Sequence, residues 1–329
     1  MSVKTADETV LSTIIPTYRR DTDLSECIDS LVIQTRLPSE IIVIDNANSA
    51  STREVVSLKQ EEFGEKIHFR YIQNGERNSP TIARNIGIRE SSGTILLFLD
   101  DDVILEQEFI ENTLNVFSMY PIAIGVQGTV INKRYPAGIN LILRLFYLTH
   151  SETDKNRFLP SIQNVYAIPL TKIIRCDWLM SGCTCYKKEI FTEFLFDEKL
   201  LRYSSGDDSD LSYRINKKYP GTLFQTPHAR LIHKVSMEGR HSDTQVIKLG
   251  QVYALYLFYK NFGTGFREKL VYIWSRVGLL LIQIGLFIGK PSKQEFRKAV
   301  SLIQAYQYCL RHFNLIKQGN IEFFTKKLL

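Results

Sequence analysis

The sequence predicts an α/β fold, a mostly parallel sheet flanked by helices and followed by a helical C-terminal extension, and three observations carry that expectation. Over the first 130 residues, short β-branched apolar runs alternate with stretches whose apolar residues recur every three to four positions. Each apolar run passes into polar residues at its C-terminal end. Beyond Gly239 the alternation gives way to long helical patterns. With 44% hydrophobic and 23% charged residues, the 329-residue chain can bury a large core, which excludes a disordered or collagen-like polymer.

LSTIIPTY, EIIVIDN, KIHFRYIQN and TILLFLDDD are the strand candidates. DTDLSECIDSLVIQT, STREVVSLKQEEF and SPTIARNIGIRESS are the helices between them, with Leu24, Ile28 and Leu31 marking one apolar face. Right-handed crossovers in such a βα repeat make the sheet mostly parallel with helices on both sides. From Asn132 to Leu170 the pattern fades, and Pro136, Pro160 and Pro169 bracket what reads as a long irregular excursion over a site. Regularity returns at IIRCDWLMSGCTCYKKEIF, then in the acidic SSGDDSDLSYRINKKY and the strand-like TLFQTPHARLIHK. QVIKLGQVYALYLFYKNF, EKLVYIWSRVGLLLIQIGLFIG and KQEFRKAVSLIQAYQYCLRHF complete the chain as helices. The expected division is residues 1–238 and 239–329.

Ligands of open α/β sheets bind beyond the carboxyl ends of the strands. Those ends carry Pro16, Thr17 and Tyr18, then Asp45 and Asn46, then Asn74, then Asp100, Asp101 and Asp102. Three adjacent carboxylates repel one another unless a cation offsets them, and hard oxygen ligands suit Mg²⁺ or Mn²⁺. The plainer alternative is a solvated acidic turn capping a helix that starts near Glu106. Asp207, Asp208 and Asp210 form a second cluster at the start of a helical run. Helix N-terminal N–H groups stabilise carboxylates there, and they also keep one ionised for use as a general base.

The set IIPTYRR, IIVIDNAN, ARNIGI, FLDDDV, SGCTCYKKEIF and GDDSDLSYR, in that order, resembles the family 2 inverting glycosyltransferases of the GT-A fold, over about residues 10 to 235. Bacterial polysaccharide and lipopolysaccharide enzymes are the members it is most similar to. The resemblance implies that Pro16, Thr17, Tyr18 and Asp45 hold the nucleotide and that Arg84 contacts the donor. It also places Asp100 on the ribose or sugar with Asp101 beside it, and Asp102 and His233 on the metal. Ser181 and Gly182 fall where the family lines the sugar pocket, although Cys183 departs from the usual Gly-rich pattern. Asp208 takes the place of the catalytic base, with Asp207 as its neighbour. The implied reaction is transfer of a sugar from a nucleoside-diphosphate-sugar to a hydroxyl of a glycan or lipid-linked acceptor, with inversion. The same acids would serve a nucleotidyltransferase, but no Gly-rich, Lys-containing phosphate loop accompanies the first strand; a non-catalytic sugar-nucleotide binder would not need Asp208.

The formal charge of +6 divides unevenly. Residues 260–329 hold 12 Lys or Arg against 3 Asp or Glu, so they carry +9 and the rest of the chain carries −3. An anionic membrane surface is the expected partner of the basic part; nucleic acid is not, because the aromatics sit inside apolar runs instead of between the basic residues. The clean apolar run Val277–Gly289 falls short of the roughly 20 residues a spanning helix needs, which favours helices lying in the interface over a buried bundle helix or a true span. Five scattered cysteines read as reduced thiols, with Cys183 and Cys185 as small core residues on one strand face. MSVKTADETV lacks a signal-peptide apolar stretch, so the expected location is cytoplasmic, peripheral on the inner face of the cell membrane.

Overall fold

The computed structural model describes residues 10–75, 78–202, 205–236, 242–263 and 265–321. The N-terminal stretch read for a signal peptide and the 238/239 boundary lie outside or at the edge of these residues, as do Tyr203 and Ser204 ahead of the second acidic cluster.

The βα repeat is β1 (Leu11–Thr17), α1 (Asp21–Val32), β2 (Glu40–Asp45), α2 (Ala50–Phe63), β3 (His68–Gln73), α3 (Pro80–Glu90) and β4 (Ile95–Leu99). Then come β5 (Val103–Leu105), α4 (Phe109–Met119), β6 (Gly125–Val130), α5 (Ala137–Leu145), β7 (His150–Glu152), β8 (Arg157–Leu159), β9 (Gln163–Ala167), β10 (Ile174–Arg175) and β11 (Cys183–Lys187). The chain continues through α6 (Asp207–Lys218), β12 (Leu223–His233), α7 (Asp243–Asn261), α8 (Phe266–Gly289), α9 (Lys293–Arg311) and α10 (Phe313–Lys317).

The main sheet runs β10-β12-β6-β11-β4-β1-β2-β3, with β5 paired to β12. β4, β1, β2 and β3 are parallel, while β11 enters antiparallel between β4 and β6. Alternation along the strands separates two cores. Leu11, Ile15, Val43, Leu97, Cys183 and Cys185 face one layer, and Ile14, Ile42, Ile44, Leu96, Phe98 and Tyr186 face the other. All five cysteines are free.

Register places the polar groups. Thr17 pairs with Asp45, and Asp45 with Gln73, so those strands end at one edge. Cys183 opposite Leu99 brings Ser181 and Gly182 alongside Asp100, and His233 opposite Val103 brings its ring to Asp102.

Two expectations are corrected. The 132–170 segment is not irregular: it holds α5 and a separate sheet of order β7-β9-β8. Strands of three to five residues offer too few alternating positions to register as a period. The acidic triplet does not cap a helix near Glu106, because β5 follows it and α4 begins at Phe109.

The C-terminal helices differ among themselves. α7 is core, burying Leu249, Val252, Tyr253, Leu257 and Phe258 against Trp178 and Phe158. Its Lys260 and Asn261 bond the wholly buried Asp210 of α6, which also pairs with Arg214. In α8 only Ser275, Arg276 and Gly278 are buried.

Candidate active site

A cleft of about 480 Å³ opens at the carboxyl ends of the parallel strands. Pro16, Thr17, Tyr18, Arg84, Asp100, Asp101, Asp102, Ser181, Gly182, Asp207, Asp208 and His233 all line it. Asp45 does not. Its buried carboxylate accepts from the Ala47 and Ser49 N–H groups and the Tyr71 hydroxyl, so it fixes the turn after β2. The neighbouring Asn46 lines the cleft instead, its Oδ1 accepting from Asn74 Nδ2. Side chains alternate at a strand end, and a one-position shift decides which residue faces a ligand.

The first cluster separates its three acids. Asp101 accepts from Thr17 Oγ1 and Arg20 at 2.8 Å each. Burial pushes its carboxyl up to about 6, partly offset by Arg20. Asp102 is also desolvated, but a hydrogen bond from His233 Nε2 at 3.0 Å, the Ser236 N–H and Arg20 outweigh burial and hold it below the ordinary carboxylate range. Asp100 stands beside Gly182, where a Cβ would come within 2.4 Å of Asp100 Oδ2. Any side chain there displaces the Asp100 carboxylate.

Asp100, Asp102 and His233 each offer a ligand atom, and these lie within 4.8 Å of one another. Two carboxylates and an imidazole fit Mn²⁺ or Mg²⁺ chemically. Asp100, expected at the ribose or sugar, thus stands with the two residues expected on the metal.

The second cluster opens α6 behind Gly206, whose φ of +91° turns the chain into the helix. Arg84 is buried on α3 and ties the clusters together: its guanidinium bonds Asp207 and, at 3.0 Å, Asp100. Burial drives the Asp207 carboxyl up to about 7 against the Arg84 charge. Burial also raises Asp208, against a hydrogen bond from the Ser209 N–H. Asp208 lines the cleft and pairs with no cation among the described residues.

Several lining residues escaped sequence reading. Arg20 sat unremarked in IIPTYRR, although a cation next to a strand end facing three acids was a usable signal. Thr149 directly precedes β7, Gln163, Asn164 and Tyr166 lie on β9, and Arg202 comes from the loop ahead of α6; no local pattern marks them.

Residues 12–181 match the sequence profile of the family described as Glycosyl transferase family 2. Among curated proteins the chain is similar to "Glycosyltransferase AglE" of Haloferax volcanii, 28% identical over 130 residues, 39% of this chain and 41% of that one. It is also similar to "Glycosyltransferase GlyA" of Streptococcus pneumoniae, 30% identical over 117 residues, 35% of this chain and 16% of that one. These matches span less than half of the relatives' own length. Among solved structures it resembles the mannosyltransferase PcManGT of Pyrobaculum calidifontis, in complex with GDP-Man and Mn²⁺. The TM-score is 0.56 at 15% identity, covering 97% of this chain and 86% of that one. It likewise resembles S. aureus TarS 1-349 in complex with UDP-GlcNAc, TM-score 0.55 at 14% identity, covering 97% and 92%. At such identities the likeness shows the GT-A fold.

Proposed function

The chain belongs to glycosyl transferase family 2, and from that premise we propose that it moves a sugar, with inversion, from a nucleoside-diphosphate-sugar to a hydroxyl of a glycan or lipid-linked acceptor in cell-surface polysaccharide synthesis. The observation that carries this reading is the meeting, in one cleft, of the Asp100, Asp102 and His233 cluster with a half-buried acid, Asp208, that pairs with no cation among the described residues.

A divalent cation on Asp100, Asp102 and His233 would offset the charge that grows on the departing diphosphate. Asp208 takes the proton of the acceptor hydroxyl as that oxygen attacks the anomeric carbon; the sugar–phosphate bond breaks and the nucleoside diphosphate leaves. A carboxylate raised by burial is a stronger base than a solvated one, which suits this task. Asp207 is held by Arg84 beside it, and Ser209 bonds both Asp208 and Asn164, fixing the start of α6 against β9. Thr17, Arg20 and Asp101 brace the end of β1, and Asn46 and Tyr18 present polar and aromatic surface to the nucleotide.

The test is a melting-temperature screen of UDP, dTDP and GDP with and without Mn²⁺, followed by assay of the matching nucleotide sugars. A nucleotide that stabilises only with metal, and a sugar donor that is turned over, are expected. Binding with no donor turnover, in the presence of any acceptor fraction, would leave a non-catalytic sugar-nucleotide binder.

The membrane part of the reading is supported by α8, 24 residues long and apolar enough to cross a membrane by length and composition. The two polar residues that interrupt its apolar stretch, Arg276 and Gln283, turn toward the protein. Arg276 is buried, donating to Ser161 O and Gln251 Oε1, while Ile273, Val277, Leu281, Ile284 and Ile288 share an exposed face. α5 joins that face: none of its residues is buried, and Ile139, Leu141, Ile142 and Leu145 are exposed. Trp274 Nε1 donates to Leu145 O, and its ring lies 5.1 Å from Phe146. An apolar surface rimmed by Arg144, Lys290 and Lys293 suits the interface of an anionic bilayer on the cytoplasmic side. Flotation with anionic vesicles checks it. The parent should rise with the lipid and the Leu281→Glu, Ile288→Glu double variant should stay behind; equal partitioning of the two removes the membrane reading.

A further inference from the structure

One cation beside the cleft has no task in the mechanism above. Lys133 follows β6 on a segment pinned to the metal side: the Asn132 side chain donates to His233 O at 2.8 Å and accepts from the His233 N–H at 3.2 Å. The Lys133 ammonium lies 3.3 Å from the centroid of the Tyr166 ring and 5.8 Å from that of Tyr135. Tyr166 itself lines the cleft.

Arg20 and Arg84 each pair with two carboxylates of the site. Lys133, half-buried, has neither an ion pair nor a hydrogen bond among the described residues. Removing an ammonium from water without an anionic partner is unfavourable, and ring faces compensate only in part. Burial accordingly pulls it down to about 8, opposed by the charge of Asp208. A cation held on a rigid ring, on a strap locked to His233 and within the field of Asp208, is arranged for an anion that arrives with a substrate.

We propose that Lys133, at the edge of this cleft behind Tyr166, is an anion-binding residue that takes a phosphate oxygen of a substrate. The inference rests on the transferase reading, under which phosphate has two sources, the diphosphate of the donor and the phosphate of a lipid-linked acceptor. Both present the same chemistry to an ammonium.

Lys133→Met keeps the aliphatic stem on Tyr166 and removes the charge; Lys133→Arg keeps the charge. Each full-length variant and the parent are titrated calorimetrically with UDP and GDP in Mn²⁺, and with a polyprenyl phosphate in detergent micelles. Lys133→Met is expected to bind one class about ten- to a hundredfold more weakly, as a lost charge-assisted hydrogen bond requires, with Lys133→Arg near the parent. Loss in the nucleotide titration assigns the diphosphate, and loss in the lipid titration assigns the acceptor. A Lys133→Met variant that melts like the parent and loses no more than twofold in either titration overturns the proposal. A parent that binds no nucleotide with Mn²⁺ removes the transferase reading instead, and this inference with it.

Discussion

Replacing Gly182 by Ala perturbs the site through a single atom. The added Cβ would lie 2.4 Å from Asp100 Oδ2 and 2.9 Å from its Cγ, where ordinary contact begins near 3.4 Å, so the carboxylate must retreat by about 1 Å. Asp100 is one-third exposed and can swing toward the cleft, which keeps the folding cost near 1 kcal/mol and the fall in melting temperature to a few degrees. Function has no such tolerance. The shift stretches the 3.0 Å bond to Arg84 and moves Asp100 relative to Asp102 and His233. A misplacement of that size costs about 10²-fold in kcat/KM, and metal-dependent nucleotide affinity should fall about tenfold or more. Calorimetric titration of the nucleoside diphosphate in Mn²⁺, beside a thermal melt, reads both quantities. If Gly182→Ala binds nucleotide within twofold of the parent, Asp100 is no ligand and the three-residue metal site is wrong.

Asp208→Asn should abolish transfer and leave metal-dependent nucleotide binding nearly unchanged, whereas Asp102→Ala should weaken that binding; full transfer by the Asn variant would sink the base assignment. Burial raises Asp207 to about 7, so the folded chain keeps a proton that the unfolded chain releases above about 4, and this group makes stability fall as pH rises from about 4 to about 7 and stay level above. Asp101, raised to about 6, acts in the same sense up to its own value. Melts in EDTA between pH 5 and 8 should show that fall reduced in Asp207→Asn, and an equal fall in both chains would contradict the assignment. Asp210→Ala removes the buried partner of Arg214, Lys260 and Asn261 and should cost about 3 kcal/mol in urea unfolding; a loss under 1 kcal/mol would mean that α6 and α7 do not depend on it.

The β1 to β4 repeat was legible because each strand is long enough to show its run and each helix its face, and the sheet rule then pointed to the strand ends. Which residue at an end faces the cleft was not legible. Asp45 and Asn46 are neighbours in a turn, and only the hydrogen bonds from Ala47, Ser49 and Tyr71 decide that the acid is consumed in the fold and the amide is presented. Arg84 shows the same limit: a residue on a helix in sequence becomes a buried link between acids more than 100 residues apart once its side chain reaches Asp207 at the start of α6. The small sheet belongs to a stretch whose strands are three to five residues long, too short to show an alternation, and Lys133 lies between elements of that stretch. α8 carries the same lesson in its polar residues. Arg276 and Gln283 broke the apolar run in one dimension, yet both turn toward the protein in three, leaving a continuous apolar face outside.

The charge balance joins these parts. Five carboxylates line the cleft, Asp100, Asp101, Asp102, Asp207 and Asp208, against the three arginines Arg20, Arg84 and Arg202. That surplus repels a nucleoside diphosphate entering alone and favours one that enters with a divalent cation, since each offsets what the other would suffer. Arg84 then links the two ends of the reaction proposed above. Its guanidinium is shared between Asp100 and Asp207, so any movement of Asp100 toward Asp102 and His233 leaves more of it to Asp207. Greater hold on Asp207 favours its ionised form, and a second anion there raises the proton affinity of Asp208 next to it. Donor binding at one cluster would in this way sharpen the base at the other, through one buried side chain and without any change in the sheet that carries them.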